Sequence, residues 1–174
     1  GRLVTLSDWL NALPAALGES RPELKSIRGS IAMLRGDYKS SLGLLNEAIR
    51  DLRRSGAGEE LAAALIRRSA INRHLGHYEL ALKDAQDASE LTRPPFGAPQ
   101  NYAEALRAEG LVHFQNGDLN DAQWKLRESY RRFQDLCLES DAAKVLTDLS
   151  VVYNARGDLE QVEKCLTDSL DYWQ

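Results

Sequence analysis

A turn that begins with glycine occurs four times in the chain, and its spacing limits the folds that the chain can adopt. The glycines are Gly36, Gly76, Gly117 and Gly157, and each is followed by Asp or His and then by Tyr or Leu. Successive glycines are 40 or 41 residues apart. A fixed period of about 20 to 50 residues is typical of repeat proteins, in which each unit packs against its neighbours. The sequence therefore predicts a solenoid of four repeats.

The segments on both sides of each glycine have the apolar period of an α-helix. In the first repeat, apolar side chains recur every three or four residues from Leu24 to Leu34 and again from Leu42 to Leu52. Glycine is common where a helix ends, because it adopts left-handed backbone without strain. No segment alternates apolar and polar residues as a half-buried strand does. The predicted fold is all-α, a right-handed α-solenoid of antiparallel helix pairs, whose members are called helix A and helix B.

We predict one repeat domain over residues 1–174, and we expect it to be part of a larger protein because the sequence begins with Gly1 rather than methionine. A further helix is predicted at residues 5–17, ahead of the repeats. The segment 92–99 contains three prolines and is predicted to be a loop, because proline cannot continue a helix. The repeats themselves are predicted at residues 22–55, 59–91, 100–138 and 140–173.

Small residues recur at fixed distances from the turn glycines. Seven residues before them lie Gly29, Ser69, Gly110 and Ser150, and twelve residues after them lie Ala48, Ala88, Ser129 and Ser169. Small side chains at these places let two helices approach closely where their ridges cross. The residues predicted to define the repeat structurally are the six glycines Gly29, Gly36, Gly76, Gly110, Gly117 and Gly157.

The charge balance excludes two classes of partner. Lys and Arg number 22 and Asp and Glu 26, which gives a formal net charge of −4. Nucleic-acid-binding domains usually carry a basic surface, and anionic membranes attract basic segments, so we expect neither partner for this domain. The sequence has no apolar run close to the roughly 18 residues that cross a bilayer and no signal peptide. We therefore expect a cytoplasmic protein.

Residues that could carry catalysis or bind a metal lack the spacing that these functions need. Gly56-Ala57-Gly58 is not followed by Gly-Lys-Ser or Gly-Lys-Thr, so it is predicted to be a loop and not a phosphate-binding site. His74 and His77 flank a turn without a third ligand nearby. Cys137 and Cys165 form no Cys-x-x-Cys motif and are expected to be reduced. We predict no catalytic residue, no metal and no cofactor, and hence a protein that is not an enzyme.

The repeat resembles the tetratricopeptide repeat (TPR) family. The matching residues include Gly76-His77-Tyr78 at the turn, with Ala81 five residues and Ala88 twelve residues after the glycine. The usual TPR unit has about 34 residues, so either the helices or the loops between repeats must be longer here. The resemblance implies a TPR-like solenoid that binds a protein or peptide partner.

The N-terminal sequence resembles the start of the helical-repeat region in maltose-activator regulators, which are large ATP-binding bacterial transcription regulators with a LuxR-type DNA-binding end. The matching residues are 6–14, Leu-Ser-Asp-Trp-Leu-Asn-Ala-Leu-Pro, followed by Arg21-Pro22-Glu23-Leu24. This resemblance implies a signal-sensing or scaffold region whose ATPase and DNA-binding parts lie outside the chain. The alternative is a stand-alone TPR scaffold for protein–protein interaction.

The TPR resemblance also implies a concave groove lined by helix A of each pair. Carried over by their distance from the turn glycine, the candidate groove residues are Arg73, His74, Arg107, Phe114, Gln115, Lys144 and Asn154. These side chains could hold an extended peptide or an anionic or sugar-like inducer, or could simply be solvated. Whether Arg107 contacts a ligand in the groove or is simply solvated, Arg107→Ala should leave the stability of the fold nearly unchanged.

A clamp for the terminal carboxylate of a peptide is not predicted. In TPR proteins that have such a clamp, asparagine is needed at one position of helix A, and no repeat of this chain has it. The residues at that position are Ser30, Ala70, Leu111 and Val151. The last predicted helix ends at Tyr172-Trp173 without the polar capping helix that solenoid ends need, so an exposed Trp173 could support a homodimer.

Overall fold

The computed structural model describes residues 8, 12, 21–95 and 97–172, and the regular elements of the two long segments are eight α-helices. The predicted all-α helical-repeat fold is confirmed in these residues. The predicted helix at 5–17 and Trp173 lie outside the described residues, apart from two isolated positions in the former. In chain order the helices are α1 (Pro22–Leu34), α2 (Tyr38–Ser55), α3 (Gly58–His74), α4 (Tyr78–Thr92), α5 (Pro99–Asn116), α6 (Leu119–Asp135), α7 (Glu139–Arg156) and α8 (Leu159–Leu170).

The helices stack in the order in which they occur in the chain. Every helix packs against the next one, and α1 also contacts α3, α3 contacts α5, and α5 contacts α7. The odd-numbered helices therefore form one continuous wall, here called the A wall, and the even-numbered helices pack against it. Buried apolar residues form two clusters, one on α2 to α5 and one on α5 to α8, so α5 belongs to both.

The residues beyond the usual repeat length lie mainly in the helices. Helices α3, α5 and α7 have 17 or 18 residues each. The connections 56–57 and 136–138 are only two and three residues long, whereas the proline-containing connection 93–98 has six. No helix among the described residues is long and apolar enough to cross a membrane.

The helices of the first repeat begin and end at the predicted limits, 22 and 55, and those of the other three repeats differ from the predicted limits by one to three residues. Helix α5 begins at Pro99 and not at residue 100, because proline fits the first helical turn, where its missing N–H has no partner to lose. Helix α6 ends at Asp135 rather than 138, because Cys137 has a φ of 54° and the N–H of Leu138 donates to the carbonyl of Phe133 at 2.9 Å. Gly56 holds the equivalent position after α2, with a φ of 72°.

The four glycine turns have the same geometry. The φ angles of the four glycines lie between 76° and 92°, in the left-handed region where a Cβ is strained. The residue after each glycine donates its N–H to the carbonyl five residues earlier in the chain, at 2.8 to 3.0 Å. This bond satisfies a carbonyl at the end of helix A and sets the reversal into helix B.

Helix A and helix B approach most closely at the small residues that precede the turn by seven positions. At Gly110, an added Cβ would lie 2.7 Å from Cγ of Leu126 and 3.2 Å from the carbonyl oxygen of Ala122. At Gly29, an added Cβ would lie 2.9 Å from Cγ of Leu45. The absence of a side chain at these glycines therefore makes room for a leucine of the facing helix.

Serine replaces glycine at this crossing in the second repeat, and the facing residue is smaller. The residue nine positions after the turn is Ala85 there, in place of leucine. The hydroxyl of Ser69 donates to the carbonyl of Ala81 at 2.7 Å. In the first repeat the same bond runs in the other direction, from the hydroxyl of Ser41 to the carbonyl of Gly29 at 2.6 Å. Both forms keep the two helices in direct contact.

Helix α8 has an apolar face that no described residue covers. Leu166 of α8 is 42% exposed, although the residues at its position in the first three repeats, Leu45, Ala85 and Leu126, are fully buried. Leu159 and Leu170 are exposed as well. In the earlier repeats this face of helix B is covered by helix A of the following repeat.

The crossing predicts opposite effects for one substitution at two glycines. Gly110→Ala should lower the free energy of unfolding by about 1 to 3 kcal/mol, because the new methyl group overlaps Leu126. Gly43→Ala in α2 should raise it by about 0.5 to 1 kcal/mol, because its Cβ meets nothing within 4 Å and alanine favours the helix. Urea denaturation of both variants checks this, and equal stability of the two would contradict the described packing.

Candidate functional site

The predicted groove residues all lie on the helices of the A wall, and the structure divides them into two groups by exposure. The half-buried side chains are those of Arg73, Arg107 and Phe114. The exposed side chains are those of His74, Gln115, Lys144 and Asn154. Phe114 packs against the second core cluster, so its ring is partly a core residue.

Two of the three junctions between neighbouring helices of the A wall have a polar contact at the same repeated position. The guanidinium of Arg67 donates to the hydroxyl of Ser26 at 2.9 Å, which joins α3 to α1. The Nε of Arg107 donates to the carboxylate of Asp148 at 2.6 Å, which joins α5 to α7. In both pairs the partners are 41 residues apart. The first partner lies ten positions before the turn glycine of its repeat, and the second lies nine positions before the turn glycine of the next repeat. The contacts fix the spacing of consecutive A helices.

Arg107 is held by two carboxylates. Besides Asp148, its guanidinium donates to Oε1 of Glu104 at 3.0 Å. Burial lowers the pKa of Arg107, but Glu104 and Asp148 outweigh burial and raise it. Burial also raises the pKa of Glu104, although Arg107 opposes that shift. Arg107 therefore braces the wall, and these contacts lead us to expect a loss of stability on its removal, in contrast to the expectation from the sequence.

Arg73 differs from Arg107 in having no direct partner among the described residues. Its half-buried guanidinium makes no hydrogen bond or ion pair with any residue in the described part of the chain. Burial lowers the pKa of Arg73, Asp148 opposes the shift, and Arg107 adds to it. The charges of Arg73, Arg107 and Asp148 are thus close enough to interact, and they come from three successive A helices. Of the two arginines, only Arg73 is left to be paired.

Two of the remaining predicted residues lie near these charges, His74 near Arg73 and Lys144 near Glu104. The ring of His74 stacks on Tyr38 of the preceding repeat, with ring centroids 6.2 Å apart. Burial lowers the pKa of His74, and the charge of Arg73 lowers it further. Lys144 is exposed and pairs with Asp141 at 2.7 Å within α7. In the described residues, no group of three His, Cys, Asp or Glu side chains is placed to hold a metal ion.

Sequence reasoning missed two buried ion pairs between helix A and helix B. Arg68 donates to both carboxylate oxygens of Asp84, at 2.8 and 2.5 Å. Glu109, only 1% exposed, lies 2.5 Å from Nζ of Lys125. In both pairs one partner lies eight residues before the turn glycine and the other lies eight residues after it. The basic residue comes first in Arg68–Asp84, and the acidic residue comes first in Glu109–Lys125. Opposite charges at equal distances from the glycine were the signal that could have revealed them.

The comparisons with known proteins establish the fold. No protein-family model and no curated protein sequence matches the chain. The solved structure of BtubC (BKLC) from P. vanneervenii matches 87% of the chain with a TM-score of 0.73 and 19% identity. Rap protein complexed with Competence and Sporulation Factor matches 98% with a TM-score of 0.83 and 13% identity. The MamA RS-1 ArsTM double mutant matches 98% with a TM-score of 0.60 and 20% identity.

All three neighbours are TPR-like helical-repeat proteins. The chain has a TPR-type fold. It spans 62% of BtubC, 47% of Rap protein and 82% of MamA.

Replacing either Arg73 or Arg107 by methionine, which keeps most of the apolar part of the side chain, tests the contrast between the two arginines. Arg107→Met should lower the free energy of unfolding by about 1 to 3 kcal/mol, because it leaves the carboxylates of Glu104 and Asp148 without their partner. Arg73→Met should change it by no more than about 0.5 kcal/mol, because no contact is lost. Urea denaturation at low and high salt measures both values. A loss of equal size in Arg73→Met would show that Arg73 is paired in solution.

Proposed function

We propose that the chain is the protein- or peptide-binding module of a bacterial transcription regulator, and that it senses a signal or assembles partners without catalysis. The binding surface is the A wall. The observation that carries the proposal is the continuity of this wall: each of its helices packs against the next one, and polar contacts at one repeated position join α1 to α3 and α5 to α7. A surface built this way suits an extended segment that crosses several repeats.

The side chains of the A wall offer both apolar and polar contacts. Val151 of α7 is 47% exposed, and Ile66 and Leu111 at neighbouring places on α3 and α5 are half-buried. Arg73 and Asn154 lie among them. An extended peptide needs such a mixture, because apolar contacts contribute affinity while a few polar groups fix its register.

The comparisons support a macromolecular partner. Rap protein, which has the same fold, was solved in complex with Competence and Sporulation Factor. The assignment to a regulator rests on the resemblance of residues 6–14 to maltose-activator regulators. A cytoplasmic location follows from that assignment. A stand-alone scaffold would use the same wall, so the sequence on either side of this chain distinguishes the two: a nucleotide-binding loop before it and a helix-turn-helix after it belong to the regulator.

Panning a phage-displayed library of random dodecapeptides against the chain tests the binding function. Enriched peptides should bind the wild-type chain, and Val151→Glu should weaken them by about tenfold or more, because it places a charge on an apolar part of the A wall. The matched control is Trp124→Glu on α6, where the side chain is 61% exposed on a helix outside the wall.

Both variants should unfold at the midpoint of the wild type, since both side chains are exposed. The proposal fails if no peptide is enriched. It also fails if the enriched peptides lose affinity for Trp124→Glu and not for Val151→Glu, because the binding surface would then lie on the even-numbered helices.

A further inference from the structure

We propose that the guanidinium of Arg73 binds one carboxylate of the ligand, supplied by an Asp or Glu side chain within an extended, partly apolar peptide. The inference rests on the proposed peptide-binding function and specifies its ligand class. It depends on three observations: the missing partner of Arg73, the charges beside it, and the apolar residues that share its face of the wall.

The first observation is that Arg73 makes no hydrogen bond or ion pair with any described residue, whereas Arg67, the other half-buried arginine of α3 without a carboxylate, donates to the hydroxyl of Ser26. Lys25, Arg68, Arg107 and Lys125 each have a carboxylate oxygen within 3.1 Å. Arg73 is similarly withdrawn from water, yet no carboxylate of the described residues contacts it. A charge that has lost part of its hydration without gaining a partner is unfavourable, so an anion that reaches Arg73 gains a strong hydrogen bond.

The second observation is that the nearby carboxylates are already engaged. Asp148 accepts from Arg107 at 2.6 Å, and Glu104 accepts from the same guanidinium at 3.0 Å. A ligand carboxylate can therefore pair with Arg73 while the Arg107 contacts persist. Asp148, whose charge acts on Arg73, also limits the charge of the ligand, because it repels a dianionic phosphate more strongly than a single carboxylate.

The third observation is the apolar character of the surrounding wall. Ile66 and Ala70 precede Arg73 on the same face of α3, at intervals of four and three residues. Leu111 of α5 and Val151 of α7 hold the position of Ala70 in the next two repeats. The peptide should therefore carry apolar residues close to its acidic residue.

These same positions bear on the source of the carboxylate. Ala70, Leu111 and Val151 have no polar side-chain atom that could bind the second oxygen or the last peptide group of a chain terminus. A terminal carboxylate would gain only the contact with Arg73. An acidic side chain gains that contact too, and the peptide on both sides of it can lie on the apolar wall.

A double-mutant cycle on peptides enriched by panning tests the assignment. The selected sequences should share one acidic position, and synthetic versions with blocked ends should lose about tenfold in affinity when that residue is changed from Glu to Gln. Arg73→Met should cause the same loss for the Glu peptide. It should cause no further loss for the Gln peptide, because both changes remove one contact. Arg93→Met, in the exposed loop between α4 and α5, is the matched control and should bind like the wild type.

Each other outcome has a defined meaning. Enriched peptides without a shared acidic position, or additive losses in the cycle, would overturn the role of Arg73 while the binding function stands. A Gln peptide with a free C-terminus that binds as tightly as the blocked Glu peptide would assign the carboxylate to the chain terminus and contradict the proposal. If panning enriches no peptide, the proposed function itself is wrong.

Discussion

The close crossing of helix A and helix B within each repeat is the contact on which the rest of the structure depends. In the third repeat, the missing side chain of Gly110 lets Leu126 pack against the backbone of helix A. In the second repeat, the larger Ser69 is combined with the smaller Ala85, and the two helices remain close. Because the two helices lie this close, the next helix A can pack against both of them. The A wall is a consequence of this packing, since it forms only when every pair holds the same geometry.

The buried ion pairs make the second and third repeats different from each other, whereas the residue at the crossing is small in all repeats. The buried pair is Arg68–Asp84 in the second repeat and Glu109–Lys125 in the third, with the charges exchanged. If α3 paired with α6 by mistake, Arg68 would face Lys125, and the two like charges would oppose the arrangement. The exchange thus disfavours a wrong pairing between units of similar shape. Arg73 and Arg107 of the A wall also differ, because Arg107 is held by two carboxylates and Arg73 contacts no carboxylate of the described residues.

Much of the fold follows from the sequence, because the turn and the crossing are local or nearly local features. The left-handed glycines and the small residues appear at fixed distances in one dimension, and apolar periodicity supplies the helices between them. The predicted helix ends were less accurate where a residue other than glycine has left-handed backbone. Cys137 has this backbone after α6, at the position that Gly56 holds after α2. The extra length could not be placed in advance, because longer helices and longer loops satisfy the same period.

The candidate site was less predictable for a physical reason. The distance from the turn glycine places a side chain on the A wall, but it does not say which charges meet across the wall. Arg107 and Asp148 are 41 residues apart, and their contact depends on how two repeats sit against each other. Sequence therefore identified Arg73 and Arg107 as equivalent candidates, whereas in the structure two carboxylates hold Arg107 and no carboxylate of the described residues contacts Arg73.

The central claim is that the A wall is the ligand-binding face, and amide chemical-shift mapping tests it most directly. The measurement is a titration of the isotopically labelled chain with a peptide enriched by panning. The account predicts that the largest shifts fall on α3, α5 and α7, around Arg73, Phe114 and Asn154. Large shifts confined to α6 around Trp124, or to the uncovered face of α8 around Leu166, would contradict it.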